Sequence, residues 1–135
     1  MAEQASEKSE ITIKIPFIEG ALFDFQPISL IECTEVNGRI VDIRVTYGKK
    51  CQDWWIDRGE VYVDTRSLMN PMDGGGGHTT PELFANRVRE LSGCISDLEL
   101  KDRILTDLRV EEMERRDSRS RAESVLSISD RNFID

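Results

Sequence analysis

Few residues in this chain have the chemistry for catalysis, and they are scattered. The single histidine, His78, follows four consecutive glycines, Gly74–Gly77. A general base needs a nucleophile or carboxylate within hydrogen-bond reach. A histidine after a glycine run is poorly placed for that, so His78 is expected to be an exposed loop residue. The glycines lack a following Lys-Ser/Thr and form no phosphate-binding loop. Cys33, Cys51 and Cys94 form no C-x-x-C pair. Their spacing fits no structural zinc site, and their odd number argues against a pure disulfide framework. Asp53, Asp57, Glu60 and Asp64 match no calcium-binding loop and read as a solvated acidic rim. No nucleophile, base and orienting group come together. We expect no enzyme, no cofactor and no metal site.

What remains is recognition. Both tryptophans and both tyrosines fall between Ile28 and Thr65. Arg58-Gly59, taken as a two-residue hairpin loop, sets Asp57 opposite Glu60, Ile56 opposite Val61, Trp55 opposite Tyr62 and Trp54 opposite Val63. Successive strand residues alternate faces. Trp54, Ile56, Val61 and Val63 then share one face, and Trp55 and Tyr62 share the other, flanked by Asp57 and Glu60. The ordinary fate of such an aromatic pair is burial under a helix or loop. The functional alternative is an exposed platform that binds a basic partner through cation–π contacts and ion pairs. Trp55, Tyr62, Asp57 and Glu60 are the candidate partner-binding residues.

The elements that position them begin with a second hairpin. Asn37-Gly38 tolerates the two positive φ angles of a type I′ turn. It sets Val36 opposite Arg39, Thr34 opposite Val41, Glu32 opposite Ile43 and Leu30 opposite Val45. Its apolar residues do not separate onto one side: Leu30, Val41, Ile43, Val45 and Tyr47 oppose Ile31, Cys33 and Ile40. Both faces are therefore expected to be partly covered. With ITIKIPFI upstream, bent at Pro16, this predicts an α+β chain. A small antiparallel β-meander or barrel of about five strands, SH3-like or OB-like, occupies residues 11–65. Residues 1–10 read as a disordered N-terminus and 66–78 as a flexible Gly-rich linker.

A helical segment is predicted over 79–114. Thr79 with Glu82 has capping-box spacing, with Pro81 between them. Ser92-Gly93 followed by Ser96 and Glu99 favours a helical hairpin over one long helix. Its stripe (Leu91, Ile95, Leu98, Ile104, Leu105 and Leu108) either docks on the β part or drives homo-oligomerisation as a short coiled coil. Residues 115–135 read as a flexible charged tail. There Arg115-Arg116-Asp117-Ser118 makes Ser118 a candidate phosphorylation site.

The net charge is −8, and acidic residues outnumber basic ones in both halves of the chain. A phosphate-tracking surface is disfavoured, because nucleic-acid affinity rests largely on Lys/Arg neutralising phosphates. No run approaches the ~18 apolar residues of a membrane span. The N-terminus is no signal or transit peptide, so a cytoplasmic or nuclear location is expected. These features suggest a non-enzymatic interaction or assembly protein, in the manner of small viral or phage accessory and structural proteins. The alternative is an OB-like single-stranded nucleic-acid-binding protein with a partner-recruiting C-terminal tail. It would require Lys14, Arg39, Arg44, Lys49 and Lys50 to converge.

Overall fold

A computed structural model describes residues 9–70, 72 and 74–116. The chain is α+β. Seven strands form one open antiparallel sheet, and helices follow. The strands are β1 (Glu10–Lys14), β2 (Leu22–Phe23), β3 (Gln26–Val36), β4 (Arg39–Tyr47), β5 (Lys50–Asp57), β6 (Glu60–Ser67) and β7 (Gly74–His78). Their order is β1-β3-β4-β5-β6-β7, with β2 paired to β3. Helix α1 spans Pro81–Ser92, α2 spans Leu98–Asp107, and α3 covers 110–116. The meander form of the expectation fits this order. The barrel form does not, since β1 and β7 lie at opposite edges.

The two hairpins show why. Asn37 and Gly38 have φ of 51° and 82°, and Arg58 and Gly59 have 52° and 78°, as type I′ turns require. At Arg58-Gly59 the pairing is regular: Asp57–Glu60, Ile56–Val61, Trp55–Tyr62 and Trp54–Val63 lie opposite each other as expected. At Asn37-Gly38 it is not. Val36 does face Arg39, but Thr34 faces Asp42, Cys33 faces Ile43, Glu32 faces Arg44, Ile31 faces Val45 and Leu30 faces Thr46. The expected pairs Thr34–Val41, Glu32–Ile43 and Leu30–Val45 are each one residue out. The cause is an extra residue, Val41, between Ile40 and Asp42. A second irregularity lies at Ser29. A bulge places two residues opposite one and resets the alternation. Ile28, Ile31, Cys33, Ile40, Ile43, Val45 and Tyr47 all become buried. The conflict between the two sides of this hairpin disappears, and with it the reason to close a barrel.

The glycine run is the second correction. Gly74–His78, expected as a linker, is strand β7, paired with β6 from Tyr62–His78 to Arg66–Gly74. Glycine disfavours a strand through backbone entropy. Here β6 is held on its other side by β5 and serves as the template.

The helices supply the other layer. Thr80, not Thr79, caps α1: its Oγ1 accepts from Leu83 N at 3.2 Å, with Pro81 first in the helix. Asp97, not Ser96, caps α2 by accepting from Leu100 N at 3.2 Å. The helical hairpin is present, and its connector is pinned to the sheet side. Ile18 N donates to Cys94 O at 2.7 Å, and Ser96 N donates to Pro16 O at 3.1 Å. At the bulge, Ile40 N donates to Asp107 Oδ2 at 2.9 Å. Arg103 bonds Glu35 and the Gly38 carbonyl oxygen. One core results. Ile31, Ile43, Val45, Trp54 and Val61 of the sheet join Phe84, Val88, Leu91, Ile104, Leu108, Val110 and Met113 of the helices. Trp54 meets Phe84 edge to face at 6.2 Å, and its indole N–H donates to Gln52 Oε1 at 3.0 Å.

Candidate functional site

With the core on one face of the sheet, the opposite face carries no helix among the described residues. The register assigns its side chains. Across β4, β5, β6 and β7 one row reads Asp42, Trp55, Tyr62, His78. The next reads Arg44, Asp53, Asp64, Gly76, and the third Thr46, Cys51, Arg66, Gly74.

The first row is aromatic. Trp55 and Tyr62 are stacked, with ring centroids 5.4 Å apart and planes 10° apart. His78 lies 4.5 Å from Tyr62 at 39°. All three rings are half-buried or exposed, unlike Trp54, which is 2% exposed. Glu60 closes the end of the row. Its Oε2 lies 2.6 Å from His78 Nε2 and accepts from Tyr62 Oη at 3.3 Å. The hydrogen bond to His78, then that residue's charge, then the Tyr62 hydrogen bond hold the Glu60 carboxyl below its usual range. Burial, then the Glu60 charge, raises the Tyr62 phenol. The imidazole is thus engaged at Nε2 and on its face. That arrangement fixes the ring as part of a surface.

Asp57 is exposed beside the turn. Of the four expected partner-binding residues, Trp55, Tyr62 and Glu60 come together, and Asp57 lies opposite Glu60 at the hairpin end. His78 joins them without having been expected to. Its signal was hidden because glycines carry no alternation from which a strand can be read.

Asp64 and Arg66 pair at 2.8 Å, and Arg44 pairs with Asp53 at 3.4 Å. A trough of about 690 Å³ runs along Trp55, Tyr62, Asp64, Arg66, Met72 and strand β7. A smaller hollow of about 280 Å³ adjoins it at Arg44, Cys51 and Asp53. Arg44, one of the basic residues that the nucleic-acid alternative requires, lies on this side. It arrives already paired with a carboxylate.

Asp42 and Asp53 are diagonal neighbours here. Asp53 Oδ1 is buried with no hydrogen-bond partner among the described residues. Burial, then the hydrogen bond and charge of Asp53, push the Asp42 carboxyl up to about 9. A proton retained on Asp42 supplies the donor that Asp53 Oδ1 lacks. The folded chain therefore holds a proton that the unfolded chain releases above the ordinary value of 3.8. The associated stability is full below that value and is lost as pH rises toward about 9. Asp42→Asn keeps a donor and needs no proton. It is expected to stabilise the chain at pH 8 by at least ~1 kcal/mol and to have little effect at pH 4, as read by chemical denaturation. Equal shifts at both pH values would contradict this assignment.

The expected association stripe is largely internal. Leu91, Ile95, Ile104 and Leu108 are buried in the chain's own core, Leu105 packs against it, and Leu98 is 70% exposed. The stripe docks the helices on the sheet, which removes the reason for assigning oligomerisation to it. The thiols lie apart: Cys33 in the core, Cys51 on the helix-free face, Cys94 in the helix connector. Burial pushes the Cys33 thiol up to about 11. Among the described residues, no three His, Cys, Asp or Glu side chains group to hold a metal ion. Nor is any helix among them long and apolar enough to cross a membrane. Residues 115 and 116, expected in the tail, close α3, and Ser118 with the rest of the tail lies outside the described residues. No family model, curated protein or solved structure matches this chain.

Proposed function

We propose that this chain is a non-enzymatic interaction protein that binds a basic segment of a partner protein on the helix-free face of its sheet. The observation that carries this reading is the stacked Trp55–Tyr62 pair, extended by His78 and left uncovered by the helices. Aromatic rings are normally buried for their area. Here the chain buries Trp54 and leaves its neighbour in reach of solvent. A guanidinium or ammonium laid over such rings gains cation–π attraction. Glu60 and Asp57 add opposite charge at the row's end, and the net charge of −8 favours the encounter with a basic partner.

The same platform can stack nucleobases, which keeps single-stranded nucleic acid as a second reading. Glu32, Asp53 and Asp64 share the face and oppose phosphates, so it ranks second. Arrayed peptides of equal length and varied charge, with single-stranded DNA spots, separate the two. The full chain is expected to be retained by basic peptides and released by salt. Tyr62→Ala is expected to weaken retention roughly tenfold, the effect of losing about 1.4 kcal/mol of contact. Retention on acidic peptides, or a Tyr62→Ala chain that binds like wild type, would overturn the reading. Retention on DNA alone would replace it with the alternative.

A further inference from the structure

Strand β7 is the last strand of the sheet, and among the described residues nothing pairs with its outer side. Exposed edges are usually guarded by charge, proline or a bulge. The opposite edge follows that rule: β1 carries Glu10 and Lys14 and is followed by Pro16. β7 offers four glycines and a histidine.

The phase of its hydrogen bonds can be read from its end. Thr79 N donates to Val61 O at 3.0 Å. Hydrogen-bonded and non-bonded pairs alternate along an antiparallel ladder. Gly77 and Gly75 therefore turn their N–H and C=O groups toward Val63 and Thr65. Gly74, Gly76 and His78 turn theirs outward. These are also the positions that share the helix-free face with Tyr62, Asp64 and Arg66.

The absence of side chains at Gly74 and Gly76 has a second consequence. A Cβ on Gly76 would sit 3.1 Å from Asp64 Cβ, and one on Gly74 would sit 2.7 Å from Arg66 Cγ. The side chains of β6 thus lean over β7 toward the edge. Any larger residue there would wall the aromatic trough off from the edge; glycine leaves it open sideways.

We propose that the free edge of β7 accepts an extended basic peptide as an added strand, one of whose side chains reaches over Gly76 to the Tyr62 and His78 rings and the Asp64 carboxylate. This rests on the partner-binding reading above and specifies the partner's conformation. Main-chain hydrogen bonds of strand addition supply affinity, and alternate side chains supply selectivity. A second copy of this chain fits the edge less well. It would bring another glycine edge with nothing to fill the trough, and the same excess of carboxylates.

The test uses the full chain, isotope-labelled, and a capped heptapeptide alternating lysine and threonine at low salt. On saturation, the Gly76 and His78 amides are expected to exchange more slowly while those of Gly75 and Gly77 hardly change, and the Trp55 and Tyr62 ring signals shift. N-methylating the alternate peptide amides that face β7 removes about two backbone hydrogen bonds and is expected to weaken binding about tenfold. If the methylated peptide binds equally well and the ring signals still shift, strand addition is wrong and the aromatic surface stands. If neither peptide moves the ring signals, both readings fall. If Gly76 and His78 are already protected in the free chain and it sediments as a dimer, a second copy occupies the edge and the proposal is overturned.

Discussion

Replacing Trp54 by alanine is expected to cost about 3–5 kcal/mol of folding stability, whereas the same change at its neighbour Trp55 is expected to cost about 1 kcal/mol. The two residues are adjacent in sequence and chemically identical. They differ in the face of β5 from which they project. Trp54 is 2% exposed, packs on Phe84 and donates its indole N–H to Gln52. Its removal leaves a cavity in the contact between the sheet and α1, and an acceptor without its donor. Trp55 touches Tyr62 on the helix-free side, so its removal loses one stacking contact and leaves no enclosed void. Urea denaturation of the two variants, followed by far-UV circular dichroism, compares them directly. Equal losses would show that both faces of β5 are covered, and the two-face account would fail.

A chain ended at Thr79 is expected to lose its cooperative fold, an effect larger than that of any single substitution. The truncation keeps every strand and both hairpins but removes Phe84, Val88, Leu91, Ile95, Ile104, Leu108, Val110 and Met113 from the core. Burial of each larger side chain contributes about 1.5–3 kcal/mol, against a typical total stability of about 5–15 kcal/mol. The truncated sheet would expose Trp54, Ile43 and Val45 to water. Thermal scans of the truncated chain should show no cooperative transition. A sharp transition near that of the full chain would mean that the helices are a separable module, and association through Leu91, Ile95, Leu98, Ile104, Leu105 and Leu108 would return as the better account of their stripe.

The parts of this architecture that could be read from sequence are those with an unbroken local rule. Arg58-Gly59 sits between two regular strands, so counting outward from the turn reaches the Trp55–Tyr62 pair. Counting outward from Asn37-Gly38 fails at Val41, because a bulge costs the ladder one residue and leaves no mark in composition. It does leave a mark in spacing. Ile40 and Ile43, like Ile28 and Ile31, are apolar pairs three apart that must both face the core, and strict alternation cannot place them there.

Strand β7 was out of reach for a different reason. Glycine has neither a face nor a β-propensity, so Gly74–Gly77 reads as a joint until β6 is present to pair with it. His78 was lost with that strand, although it completes the aromatic row. The Asp42–Asp53 pair needed the β4–β5 register, whose turn at Gly48-Lys49 carries no strong hairpin signal. The helix caps were misplaced by one residue each, Thr79 for Thr80 and Ser96 for Asp97. Neighbouring residues at each site can all cap, and only the geometry chooses between them.

This sheet buries one face under its helices, and we propose that it offers the other, through Trp55, Tyr62 and His78, to a basic partner. Hydroxyl-radical footprinting of the full chain, with and without a lysine-rich peptide, tests both halves in one measurement. Oxidation of Trp55, Tyr62 and His78 is expected in the free chain, with protection of all three on adding peptide and no oxidation of Trp54 in either state. Equal oxidation of Trp54 and Trp55, or no protection of Trp55 by peptide, would contradict it.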